Sequence, residues 1–268
     1  PTKPTTDNLP EYDGKSIEQW FAVLDTERSP TRLAEAVDAI RFLAQKSHAE
    51  QISERALRVF RNVDAESQFG SGKEIRQVST ITSGLLGTLP PATLASACAK
   101  ELNQGNERSR LFVLRHVMRS FQLSSLESNE LIQALLQTSR NEDDSVREKS
   151  ASWLSIVIYN FPKHPLVSEA TVRLRELLSD KATPVVLTAC RGLFASKGDG
   201  PAICDALSPL VIGNNDGEQN EALWLLAVMG PSAEKAVPAL SSMLLSEGNP
   251  ESHEGQWSQN SYVRTSGF

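Results

Sequence analysis

The chain has 268 residues, 40% hydrophobic and 22% charged, with a formal net charge of −6 and a pI near 5.4. This length and apolar share suffice for a sizeable core, while the acidic balance opposes the basic stripe on which nucleic-acid binding depends. Cys98, Cys190 and Cys204 are odd in number and lack Cys-x-x-Cys spacing, so they are expected as small buried apolar groups. No apolar run reaches the ~18 residues of a membrane helix, so no integral membrane segment is expected in this chain.

The opening PTKPTTDNLP reads as a flexible leader covering residues 1–13. Its start at Pro1 instead of Met leaves the compartment open, and favours an extracytoplasmic setting over a cytoplasmic one. Ser16 then caps a helix, SIEQWFAVLDTE, on which Ile17, Trp20, Phe21 and Leu24 share a face. Ser29 and Pro30 break the chain, and PTRLAEAVDAIRFLAQ follows as the second helix of a pair anchored on Arg32.

The next pair is AEQISERALRVFRNV with KEIRQVSTITSGLLGTL, anchored on Arg76, and the third is TLASACAKELNQ with ERSRLFVLRHVMRSFQ, anchored on Arg110. In the fourth, SNELIQALLQTS precedes SVREKSASWLSIVIYN, where Arg147, Ala151, Leu154, Ser155 and Ile158 fall on one face. Asn141 to Ser145 supply cap groups and negative charge, so this helix should begin near Asp144. Pro162 and Pro165 should end it by Tyr159 or Asn160. PLVSEATVRLRELLSD with TPVVLTACRGLFAS and PAICDALSPLVIG with EQNEALWLLAVM make two more pairs, with Val185 and Glu218 in the anchor slot.

A seventh unit starts at PSAEKAVPALSSMLLSE and reaches Val263 and Arg264 through the polar stretch GNPESHEGQWSQN. The anchors recur on average every 39 residues or about that, the spacing of helical repeats. The expected fold is all-α, an α-α superhelix of about six helix pairs plus a truncated seventh, forming one continuous body over residues 14–245. Residues 246–268 read as a polar connection and the start of an incomplete repeat, expected to pack poorly.

LLAVMGPSAEKAVPALSSML, with Gly230 and Pro231 at the turn, resembles the helix-turn-helix junction of bacterial HEAT-like repeats, the armadillo-type class that includes phycobilisome-lyase repeats. YDGKSIEQWFAVLD is similar to the entry segment that precedes such repeats. The resemblance covers roughly residues 13 to 268 and implies a binding scaffold, since most HEAT-like proteins are scaffolds and a minority are enzymes or enzyme partners.

Local signatures of chemistry are missing. His48, His116, His164 and His253 are scattered without zinc spacing, and no GxxxxGK[ST], GxGxxG or GxSxG pattern occurs. Asp143 and Asp144 are the paired carboxylates, best read as helix caps. Neither a metal nor a cofactor is expected, and no catalytic residue is assigned.

Aligning the second helices on their anchors gives a column six residues on: Asp38, Thr82, His116, Trp153, Arg191 and Trp224. That offset lies about 150° from the mean core direction, so the column is expected to line the concave wall of the stack. Flanking columns add Phe112, Leu187, Ile156, Phe194 and Arg119, and Arg108, Arg115 and Arg119 form a basic cluster beside them. Tryptophan and arginine are enriched in interface hot spots. With helices 8–10 Å apart, Trp153 and Trp224 would stand about 20 Å from each other, within reach of one peptide.

The leading expectation is a non-enzymatic scaffold binding a protein or peptide on its concave face. Trp153 and Trp224 would anchor the partner, Arg115, Arg119 and Arg191 would provide polar contacts, and Phe112 and His116 would complete the wall. Packing of the two tryptophans between repeats is the competing reading. The alternative function, implied by the resemblance, is a lyase-like or other HEAT-type accessory subunit whose groove takes a tetrapyrrole or other anionic ligand near His116. The acidic balance counts against a nucleic-acid partner, and oligomeric state is open.

Overall fold

A computed structural model describes residues 11–27, 29–44, 53, 57, 90–120, 126–196, 198–213 and 215–247. The leader, most of the second expected pair with Arg76 and Thr82, and the polar tail with Val263 and Arg264 lie outside the described residues. Two compact units are distinguished, Pro1–Asp199 and Gly200–Phe268. Among the described residues every regular element is helical, and Tyr12 with Lys15 makes an isolated bridge.

The first unit opens on that bridge. Asp13 and Gly14 both take positive φ, 51° and 68°, the conformation that an Asp-Gly pair supplies to a two-residue hairpin turn. The turn holds Tyr12 against Trp20 and Phe42, with ring centroids 6.2 and 5.2 Å away. The Tyr12 carbonyl accepts from Trp20 Nε1 at 3.0 Å, and Lys15 Nζ sits 4.2 Å from the centre of the same indole. Helix α1 (Ile17–Thr26) then starts from a reciprocal capping box between Ser16 and Gln19 and packs on α2 (Pro30–Ala44). Of the expected α1 face, Trp20 and Phe21 are buried and Ile17 is half-buried, while the Leu24 side chain lies outside the described residues.

Three further pairs follow: α3 (Pro91–Gln104) with α4 (Glu107–Phe112), α5 (Asn129–Thr138) with α6 (Asp144–Asn160), and α7 (Val167–Leu177) with α8 (Thr183–Ala195). First helix stacks on first helix, α3 on α5. Second stacks on second, α4 on α6 and α6 on α8, while each pair also packs internally. This two-layer stacking follows from the sequence: one apolar face per helix cannot be buried within a single pair, so each unit needs its neighbour. Helix α6 has the limits read from the caps and prolines, with Asp143 Oδ1 accepting from the Val146 N–H at 2.9 Å.

One departure from regular helix matters. After Phe112 the chain passes into a π-turn, Val113–Val117, and then a 3-10 turn, Met118–Ser120, where the sequence pattern predicts an uninterrupted α-helix. A π-turn carries an extra residue, so side-chain positions past it no longer follow the 100° count.

The second unit contains α9 (Gly200–Val211), α10 (Asp216–Met229), a 3-10 stretch Gly230–Ala236 and α11 (Val237–Glu247). Gly230 ends α10 at φ 56° and ψ −127°, a conformation costly for any residue with a side chain, which explains the Gly-Pro junction. Helix α9 packs on α10, on the 3-10 stretch and on α11, burying Ile203, Cys204, Leu207 and Val211 against Ala222, Leu225, Leu226 and Met229.

Candidate functional site

The strongest polar contact of the first unit is built on the anchor arginine of α6. Arg147 Nε and Nη2 each donate at 2.8 Å to the two carboxylate oxygens of Asp180, and Nη1 donates to the carbonyls of Asn141 and Glu142 at 3.0 and 2.7 Å. The two side chains are only 7% and 9% exposed. Burial alone would raise the Asp180 carboxyl, but the hydrogen bonds from Arg147 and the Ala182 N–H, with the Arg147 charge, hold it below the usual carboxylate range. Arg110 does a similar job one pair earlier, donating to the Leu102 and Asn103 carbonyls at the end of α3. At these two anchors the arginine is structural: it ties a second helix to the loop or helix end beside it.

The outward column is only partly outward. Phe112, expected on the wall, is 8% exposed and stacks its ring on His116 at 5.6 Å; it is the last residue of α4, a short helix that packs on both α3 and α6. Leu187 is 3% exposed, because α8 is apolar nearly all round and such a helix is covered nearly all round. Between Val185 and Ala195 only Arg191 and Ala195 are exposed. Arg115, His116, Arg119 and Arg191 are exposed as expected, Arg108 and Asp38 likewise, and Ile156 and Phe194 are half-exposed.

Trp153 is half-buried, and its Nε1 donates at 2.8 Å to the carbonyl of Leu114 in the π-turn. It therefore lies in the seam between successive second helices, as the packing alternative proposed. The reason is visible around α6. Val146, Ser150 and Val157 are buried beside the expected core positions, so the covered stripe extends to about 100° on the side of the preceding pair and Trp153, at about 120°, stands at its edge. Val146 and Val157 set this edge and Ser150 fills the stripe behind it, its hydroxyl buried without a hydrogen-bond partner.

A close approach sets the geometry of the rest of this face. A side chain at Gly192 of α8 would come within 2.0 Å of Ser155 Oγ and 2.8 Å of Leu174 Cδ1, so α6 and α8 meet there with nothing between them. One residue from that contact, Leu154 and Leu193 turn into the core, both fully buried. On the other side Ile156 and Arg191 turn away from the core. The exposed face of the second-helix layer thus carries Arg115 in the π-turn and Arg119 after it, Trp153 and Ile156 on α6, and Arg191 and Phe194 on α8.

In the second unit Trp224 is 54% exposed on α10, with Val228 one turn on. Near them an open apolar cavity of about 700 Å³ is lined by Leu223, Leu226, Ala227, Pro231, Val237 and Leu240. The sequence reading did not single out this cavity, whose residues come from α10, the Gly230–Ala236 stretch and α11 together.

Groups that might carry chemistry are otherwise accounted for. Cys98, Cys190 and Cys204 are buried free thiols, and burial pushes Cys98 and Cys204 above the ordinary thiol range. Asp143 is the N-cap of α6, and its charge and hydrogen bond raise the neighbouring Glu107 carboxyl. Among the described residues no group of three or more His, Cys, Asp or Glu is gathered where it could hold a metal, and no helix is long and apolar enough to cross a membrane.

No family model matches the sequence, and no curated protein matches it. Similar solved structures include a designed armadillo repeat protein in complex with the peptide (KR)4, 15% identical, covering 81% of this chain and 100% of its own at a TM-score of 0.45. An engineered protein is 16% identical over 85% of this chain and 97% of its own, with a TM-score of 0.46. A computationally designed armadillo repeat protein for modular peptide recognition is 15% identical over 79% and 99%, with a TM-score of 0.41. None of the three is a phycobilisome lyase. It is the stacking of helix pairs in two layers that makes this chain an all-α helical repeat protein of the α-α superhelix class.

Proposed function

We propose that the protein is a non-enzymatic scaffold that holds a protein or peptide segment on the exposed face of its second-helix layer. One observation supports this above the rest: half-exposed Trp153, Ile156 and Phe194 alternate with exposed Arg115, Arg119 and Arg191 along three successive second helices. Aromatic and aliphatic area beside arginine is the composition of a protein interface core and its rim. Trp153 serves here as a fixed ring edge held by Leu114, and Trp224 is exposed on α10 in the other unit.

A photo-crosslinking residue placed at Ile156 or Phe194 in the producing cell tests the reading, with Val172 on α7, 47% exposed, as the control position on a first helix. Discrete adducts at 156 and 194 but not at 172 are expected. Adducts equally abundant at all three, or at none, would remove the second-helix face as a binding surface.

A further inference from the structure

Resting on that reading, we infer that the segment bound there is acidic. The charges on the face are unequal. Arg115, Arg119 and Arg191 are exposed on it, and among the described residues neither Arg115 nor Arg119 has a carboxylate within ion-pair distance. The carboxylate of α6 nearest in sequence to this face, Glu148, is occupied by Lys149 at 2.9 Å. Three other arginines of this unit do have carboxylate partners: Arg147 has Asp180, Arg173 has Glu176 and Arg175 has Asp199. Arg115 and Arg119 thus place two positive charges without carboxylate partners on one face of a chain whose net charge is −6.

Their positions suit a carboxylate-bearing strand or helix. Arg115 directly follows Leu114, whose carbonyl accepts from the Trp153 indole, so Trp153 is held against the backbone beside Arg115. Arg191 lies two second helices on, about 16–20 Å away at ordinary helix spacing. The apolar ground between them is Trp153, Ile156 and Phe194. A segment with carboxylates toward both ends and apolar residues in the middle fits this order, with arginine offering two parallel donors to each carboxylate. A nucleic acid would share the charge and the stacking, but draws its affinity from a long run of phosphate contacts. The arginines here are few and the remainder of the chain is acidic.

The test uses the full chain and three fluorescein-labelled probes in an anisotropy titration: a twelve-residue peptide repeating Glu-Phe-Glu-Leu, its Lys-Phe-Lys-Leu counterpart, and a twelve-nucleotide oligo-dT. The acidic peptide is expected to bind at least tenfold more tightly than either other probe, and to weaken as salt rises from 50 to 300 mM. R115E/R119E and R191E, all at exposed positions, are each expected to weaken it at least fivefold, and R115K/R119K to retain most binding. Basic peptide bound as tightly as acidic, oligo-dT bound more tightly than either, or no binding at all would overturn the acidic assignment. Crosslinks at 156 and 194 alongside a failed acidic peptide would leave the docking face standing with a partner of other chemistry; loss of both would remove the face as well.

Discussion

Replacing Arg147 with methionine isolates the contribution of the anchor. Methionine keeps an apolar stem of comparable length, so the change removes the guanidinium and its four hydrogen bonds, two to Asp180 and two to the Asn141 and Glu142 carbonyls. Asp180 is then left 9% exposed with the Ala182 N–H, 2.9 Å from Oδ1, as its main remaining donor. Breaking a buried pair from one side costs about 3–5 kcal/mol. At about 2–4 °C per kcal/mol for a chain of this size, the midpoint of thermal unfolding should fall by roughly 6–20 °C.

Urea unfolding followed by far-UV circular dichroism measures the loss, and R147M/D180L should recover most of it because no buried charge is stranded. The pH dependence has a defined sign. Asp180 is held below its unfolded value, so its contribution is present above about pH 4 and is lost as pH falls through the folded value. The gap between wild type and R147M should therefore narrow between about pH 4 and pH 2. A loss under about 1 kcal/mol at pH 7, or a gap that widens in acid, would refute the clamp.

Gly192→Ala places a methyl group 2.0 Å from Ser155 Oγ and should destabilise the protein by about 1–3 kcal/mol in urea unfolding, with partial rescue by Ser155→Gly. Ser150→Ala removes a buried hydroxyl that has no hydrogen-bond partner; its unfolding free energy should stay level or rise by up to about 1 kcal/mol, and a loss of more than about 1 kcal/mol would show an unseen partner. Trp153→Phe should cost about 0.5–1.5 kcal/mol by losing the donor to Leu114, while Trp224→Phe, at a 54% exposed position, should stay within about 0.5 kcal/mol. In variants keeping one of these two tryptophans, acrylamide should quench Trp224 more strongly than Trp153; equal quenching would place Trp153 outside the seam.

Much of this architecture was legible without coordinates. Apolar residues at helical spacing gave the pairs, because a helix that must bury one face announces it every three to four residues. Ser16, Asn106, Ser128 and Asp143 mark helix starts through cap bonds that are local in the chain, and Gly230 marks a helix end through its positive φ. The exposure of Arg191 followed from the same count, and that of Arg115 and Arg119, in and beyond the π-turn, from their charge, since charged groups stay in water.

What tertiary structure alone decided lies on the flanks of those faces. The partner of Arg147 is 33 residues away and that of Trp153 is 39 residues away, each in a neighbouring pair. Within one helix, nothing tells which neighbour will cover a flank, or that Val146, Ser150 and Val157 will be covered together until a tryptophan stands at the edge of the buried stripe. The π-turn after Phe112 is equally silent in the pattern, since it changes which way residues point without changing which residues are present. Local periodicity set the helices and their buried sides; the packing of one pair on the next set which side chains remained for a partner.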